Sequence, residues 1–255
     1  RSVYDLFDEK SQADESLLGL KRDITAFDKE VLANKNAVYA NSQNVADRLL
    51  RYCGIQATPL YHPPPGAQHF YCANEALPYV YFPSRIETLK RQDLLVQAAA
   101  LMKSDLKILI SGSGSKVPEL KLAFEKYKLQ GKVEYLGSVT EAEKRAFYAN
   151  CRAVFFGPQD EDLGYVTLEA MLSSKPVLTC TDSGGPLEFI THNETGWVVE
   201  PKAEKIAATL DEISANADQA KSMGLSANAH YKSLGISWEN VANTLLAGLP
   251  GVPAP

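Results

Sequence analysis

Several features that would narrow the function are missing from this chain of 255 residues. No apolar run approaches the roughly 18 residues that a membrane-spanning helix needs. Cysteine is scarce: Cys53, Cys72, Cys151 and Cys180 are scattered through the chain, which excludes a disulfide scaffold and any C-x-x-C redox or metal motif. Thiols of this kind suit the cytoplasm, where the glycosylation sequon Asn193-Glu194-Thr195 is inert. Cys53, His62, His69 and Cys72 are metal-capable, but their spacing matches no usual zinc pattern. Positive charge is not in excess either: 26 Lys and Arg stand against 31 Asp and Glu, a net charge of −5, which speaks against a nucleic-acid binder with its usual basic face. Sixteen glycines and fourteen prolines are too few for collagen or low-complexity sequence. The opening RSVYDLFDEK has no initiator Met and no apolar targeting segment, and the expectation is that the first half of a larger protein precedes it.

What remains is ordinary soluble composition, 45% apolar and 22% charged, sized for one large domain or two modest ones. Leu17, Leu20, Ile24, Phe27 and Val31 recur at helical spacing and predict an amphipathic helix over 16–33. A short strand at 37–40 precedes a helix capped by Asn41 or Ser42 and stopped by Gly54, and a second strand is expected at 55–61. Pro63-Pro64-Pro65-Gly66 then marks a stiff boundary. Residues 1–62 therefore read as the C-terminal part of one α/β domain and 63–77 as a linker.

From there a regular alternation begins. Strands are expected at 79–82, 106–110, 132–136, 153–156, 176–179 and 196–199. Helices are expected at 91–102, 117–128, 141–150, 164–174, 186–190, 203–214 and 218–231. Six βα units of this kind mean an α/β fold, a Rossmann-like parallel sheet with helices on both faces, over 78–232. Its ligands should bind at the carboxyl ends of the strands. A last helix, Trp238 to Leu246, and a loose tail complete 233–255.

The chemistry-bearing residues fall in the loops that such a sheet exposes at its carboxyl edge. Arg85 and Lys90 follow the first strand, a planar fork and a compact cation, both suited to phosphate. Ser111-Gly112-Ser113-Gly114-Ser115 begins like a dinucleotide fingerprint but has Val117 where the last glycine belongs, and it lacks the ending of a P-loop. These glycines read as a tight turn beside a ligand. The segment GPQDEDLGYVTLEAM holds Asp160, Glu161 and Asp162 before Gly164. Glu169 interrupts a helical apolar run, where a carboxylate is costly unless it meets a partner. The amides of Tyr165, Val166 and Thr167 open that helix and form a natural anion site. Gly184-Gly185 with Glu188 makes another strand-to-helix turn.

Taken together, these motifs resemble the retaining family-4 (group 1) glycosyltransferases of GT-B architecture. The family's Arg and Lys are matched by Arg85 and Lys90, its E-x7-E by Glu161 and Glu169, and its G-G-x-x-E by Gly184, Gly185 and Glu188. Ser84 departs from the Gly that usually precedes the Arg, and Asp162-Leu163 departs from the common Gly-Phe. The resemblance implies a donor domain preceded by the end of an acceptor domain. It implies transfer of a hexose, of mannose or glucose type, from a GDP- or UDP-sugar to a glycan or lipid-linked glycan, with retention and without a metal cofactor. Arg85 and Lys90 would grip the diphosphate and, with Glu161 near the anomeric carbon, form the catalytic set. Glu169 would accept hydrogen bonds from the ribose, the region of Gly164, Tyr165, Val166 and Thr167 would hold sugar or phosphate, and Val139 would contact the base. A lipid-linked acceptor would place the protein at the inner face of the membrane, held there through the missing half.

Separation limits the mechanism independently. Double displacement needs two carboxyls about 5–5.5 Å apart, whereas eight helical residues rise about 12 Å, so Glu161 and Glu169 are expected to serve different parts of one ligand. Three alternatives stay open. Asp160-Glu161-Asp162 spells D-x-D, the metal motif of GT-A enzymes. The chain is also compatible with a nucleotide-sugar-binding piece that turns over little sugar without its missing half, or with a sugar-nucleotide epimerase of GT-B shape.

Overall fold

Asp14 begins the part of the chain that the structure, a computed structural model, describes: residues 14–247. Its carboxylate accepts from the amides of Ser16 and Leu17, an N-cap that opens α1 (Glu15–Ala33). The helix forms where its apolar spacing predicts, yet none of its residues is buried; Leu20 is 51% and Phe27 64% exposed. Helix α2 (Gln43–Cys53) is capped by Ser42, whose hydroxyl accepts from the Val45 amide, and is ended by Gly54 at φ 67°. The flanking strands are shorter than expected. Only β1 (Tyr39–Ala40) and β2 (Thr58–Pro59) pair, in parallel.

The chain divides into two compact units, one comprising the described residues up to His62 together with those from Ile236 onward, the other Pro63–Gly235. Two expectations are corrected by this division. Residues 63–77 do not form a separate linker, because the Ala73 and Leu77 amides donate to the carbonyls of Ala149 and Asn150. The final helix, Trp238–Ala247, groups with the first unit, where the Trp238 ring stacks on His62 at 5.5 Å.

The second unit carries the predicted alternation. Strand β3 (Tyr79–Pro83) leads to α3 (Gln92–Leu101), β4 (Lys107–Ser111) to α4 (Val117–Lys126), and β5 (Val133–Gly137) to α5 (Glu141–Asn150). Strand β6 (Ala153–Phe155) leads to α6 (Tyr165–Leu172), and β7 (Val177–Cys180) is followed by a 3₁₀ turn at Gly185–Glu188 in place of the expected α-helix at 186–190. Strand β8 (Gly196–Val199) is followed by α7 (Ala203–Ala215) and α8 (Ala217–Ser233), and Trp238–Ala247 is α9. All six strands of the large sheet are parallel, in the order β5-β4-β3-β6-β7-β8. Helices α3, α4 and α7 pack together on one face, and α6 packs with α8 on the other.

The strands read as near-continuous apolar runs because both faces are covered. All five residues of β3 are buried, and Phe82 meets Phe155 edge-on at 5.1 Å. The chain order reverses between β3 and β6. At that switch point the loops leaving the two strands diverge and open a crevice at the carboxyl rim.

Candidate functional site

The loop after β3 is held by backbone contacts with the glycine-rich loop after β4. The Ser84 amide donates to Ser111 and the Ile86 amide to Ser113, at 3.0 and 2.9 Å. A Cβ on Gly112 would lie 1.9 Å from the Ser84 carbonyl oxygen, and one on Gly114 would lie 2.2 Å from that of Ile86. The two glycines thus permit close approach of one chain segment to another. Buried Gln92 donates to the Arg85 carbonyl and to the Ser84 hydroxyl, and Ser115 donates through its amide and hydroxyl to Glu87. The turn carrying Arg85 is fixed, while its guanidinium is exposed and makes no hydrogen bond to another described residue.

A second pair of loops is joined in the same way. Asp160 and Glu161 amides donate to the carbonyls of Asp182 and Ser183, and the Gly185 amide returns a bond to Glu161 at 2.8 Å. A Cβ on Gly185 would lie 2.4 Å from the Asp162 carbonyl oxygen. The Gly184-Gly185 turn therefore fixes the backbone of Glu161. Arg91 adds a two-pronged contact to Asp182, at 2.7 and 2.6 Å, from the N-terminus of α3.

The loops after β3, β4 and β5, with residues of α5 and α6, line a cavity of about 340 Å³ at the switch point. Arg85, Ser111, Val139, Tyr165, Val166 and Glu169 are among the residues lining it. Glu169 is 6% exposed. It accepts from the Lys144 ammonium at 3.1 Å and from the Tyr148 hydroxyl at 2.7 Å. Burial raises the pKa of its carboxyl above the usual value, against the opposing pull of Lys144 and Tyr148. Burial also works against the Lys144 ammonium, but Glu169 and Glu141 hold it above the ordinary lysine value.

Five of the sequence-predicted residues thus share one cavity: Arg85, Val139, Tyr165, Val166 and Glu169. Lys90 and Glu161 do not line it. They form an ion pair with each other, and the Lys90 ammonium sits 5.5 Å from the centre of the Phe156 ring. Gly164, at φ 82°, caps α6 beside them, and a Cβ there would meet Phe156 at 2.9 Å and Glu161 at 3.4 Å.

Thr167 requires a correction. Its amide donates to the Gly164 carbonyl at 2.9 Å, because the first turn of α6 tightens to satisfy one of its own opening donors, and its side chain is buried. Sequence reasoning missed Lys144 and Tyr148 on α5, and the Arg91–Asp182 contact. The four-residue spacing of Lys144 and Tyr148 places them on one helix face, but nothing local to α5 announces a carboxylate on another helix. No group of three or more metal-capable acid, His or Cys side chains occurs among the described residues.

Comparison with known proteins gives concordant results. A family model for glycosyl transferases group 1 matches residues 71–230. The alpha-1,3/1,6-mannosyltransferase ALG2 of Homo sapiens is 32% identical over 114 residues, 45% of this chain and 27% of that protein. The D-inositol 3-phosphate glycosyltransferase of Nocardia farcinica (strain IFM 10152) is 30% identical over 244 residues, 86% of this chain and 53% of that protein. The chain spans about half the length of these relatives or less. Anabaena Alr3699/HepE, solved in complex with UDP and glucose, superposes with a TM-score of 0.77 at 19% identity, over 92% of this chain and 68% of its own. That last likeness is one of fold.

Proposed function

The chain belongs to the group 1 glycosyl transferases, and on that premise we propose that its cavity takes the nucleoside diphosphate sugar of a retaining hexosyl transfer. The observation that carries the reading is the joint presence of exposed Arg85 and buried Glu169 on one crevice at the switch point of the sheet. A cation with no hydrogen-bond partner among the described residues suits a diphosphate. A buried carboxylate suits the paired hydroxyls of a ribose. The Val139 loop, which also lines the cavity, would meet the base, and the opening of α6 at Tyr165 and Val166 would meet sugar or phosphate.

In this reading Lys90 and Glu161 act next to the cavity. Lys90 would join Arg85 in stabilising charge on the departing diphosphate, the kind of contribution that is commonly the largest in such reactions. Glu161 would lie along the donor sugar near its anomeric carbon. Because Glu169 is engaged by Lys144 and Tyr148, and Glu161 by Lys90, the two carboxylates have separate tasks. A front-face, ion-pair route to retention fits that division better than double displacement. Arg85 and Lys90 supply the countercharge, so no metal is proposed.

The human relative is named for mannosyl transfer and the Anabaena structure holds UDP and glucose, which supports a GDP- or UDP-linked hexose as donor. We take the acceptor to be a glycan or lipid-linked glycan, used on the cytoplasmic side of a membrane.

The test is thermal shift of the 255-residue chain with UDP, GDP and their hexose conjugates, with and without EDTA. Stabilisation by at least one nucleotide, unchanged by EDTA, is the expected result. Arg85→Ala should weaken that nucleotide about 10- to 100-fold, the equivalent of losing hydrogen bonds to a charged group. An undiminished shift in that variant would remove Arg85 from the site.

A further inference from the structure

Glu169 is the only carboxylate lining the cavity among the described residues, and both of its oxygens are already engaged. Lys144 donates to Oε1 and Tyr148 to Oε2. The two donors come from one face of α5, while the acceptor stands on α6. Tyr148 is fully buried, and its ring lies edge-on to Phe70 at 5.7 Å and to Tyr81 at 5.2 Å. Tyr81 is fixed in turn by a 2.6 Å hydrogen bond with the Ser111 hydroxyl. The Tyr148 hydroxyl is therefore delivered to Glu169 by a ring that packing holds on two sides. Lys144 reaches the carboxylate from the cavity wall, where it also meets Glu141 at 3.0 Å.

A carboxylate offers about four acceptor positions. Two donors leave about two positions, and fixing both oxygens fixes where those remaining positions point. An incoming pair of vicinal hydroxyls would meet acceptors of set spacing, and a ligand lacking one hydroxyl would leave a buried acceptor unpaired, which is where discrimination is strongest.

We propose that Tyr148 and Lys144 are positioning residues that hold the Glu169 carboxylate against the ribose of the bound nucleotide, so that the cavity selects ribonucleotides over 2′-deoxyribonucleotides. This inference rests on the nucleotide-sugar reading of the cavity and extends it to two residues on α5.

The experiment is calorimetric titration of the 255-residue chain with UDP, GDP, 2′-deoxy-UDP and 2′-deoxy-GDP. The parent chain should bind the ribo form of one nucleotide more tightly than its deoxy form. Tyr148→Phe keeps the ring and removes the hydroxyl. It should weaken the ribo form roughly two- to tenfold, as for loss of a single hydrogen bond, and weaken the deoxy form, which keeps only one of the two hydroxyls, by less. Lys144→Met should shift the same ratio in the same direction, and Lys144→Arg should restore it. Equal losses on ribo and deoxy forms in both variants would assign the two residues to packing and overturn the proposal. Should Tyr148→Phe fail to fold by circular dichroism, Lys144→Met decides on the same ratio. A parent chain that binds neither nucleotide would refute the underlying reading of the cavity. One that binds ribo and deoxy forms equally would refute only the positioning role.

Discussion

Burial and ionisation pull against each other at Glu169. The folded protein raises its carboxyl pKa relative to an unfolded value near 4.3. A group with a raised folded pKa contributes stability below its unfolded pKa and loses that contribution as pH rises through the folded one. Glu169→Gln removes the titration. The melting temperature of this variant minus that of the parent should therefore increase as pH is raised from about 4 to 7, measured in parallel scans. Nucleotide affinity should move the opposite way, falling about 10- to 100-fold in Glu169→Gln with the loss of charge-assisted acceptance. A variant both less stable at neutral pH and unimpaired in binding would contradict this account of the residue. Glu169 was legible in the sequence as a carboxylate stranded among apolar neighbours. Its partners were not, because they lie 21 and 25 positions away on a different helix.

At the scale of elements, the loops after β3 and β4 behave as one object. Gly112 sits at φ 132° with the Ser84 carbonyl in the space a side chain would fill, so Gly112→Ala must push the β3 loop away from its partner. The expected outcome is a destabilisation of about 1–3 kcal/mol, typical of overpacking and backbone strain, together with loss of nucleotide-induced thermal shift. A folded variant that retains the full shift would show that the Arg85 turn does not depend on this approach. Sequence pattern located this glycine pair and read it as a tight turn beside a ligand rather than a dinucleotide cradle. It did not disclose that the reason for the glycines is a neighbouring strand extension, since that reason lies some 28 positions upstream. Element type was read well where strands are doubly buried and helices are capped, as with Ser42 and Gly54. It was read poorly at 186–190, where Pro186 and the close contacts of Gly185 shorten the turn to 3₁₀ form.

For the molecule as a whole, the sheet order could be inferred from alternation alone only as far as a parallel, doubly wound sheet. The reversal between β3 and β6 is a property of pairing, and it is this reversal that brings residues 85, 139 and 169 to one crevice. The grouping of Trp238–Ala247 with the residues before Pro63 is likewise invisible to local pattern, because it depends on a contact between positions 62 and 238. The rim opposite the cavity contributes no residue to its lining. There the connection between α4 and β5 passes through Gln130 and Gly131, both exposed. Lengthening a flexible loop costs only about 0.6 kcal/mol per doubling. Inserting a four-residue Gly-Ser segment between Gln130 and Gly131 should therefore leave melting temperature and nucleotide shift nearly unchanged, whereas the same insertion between Ser113 and Gly114 should remove the shift.

That contrast follows from the laced turns beside the crevice, and it reaches beyond single substitutions. A scaffold whose working end is bound backbone to backbone cannot change specificity by growing or shrinking those turns, since each extra residue would break a match made by several others. Variation in what such a protein accepts must come instead from exchanging side chains on an unchanged frame, while its far end is left at liberty to acquire new length, tags or partners.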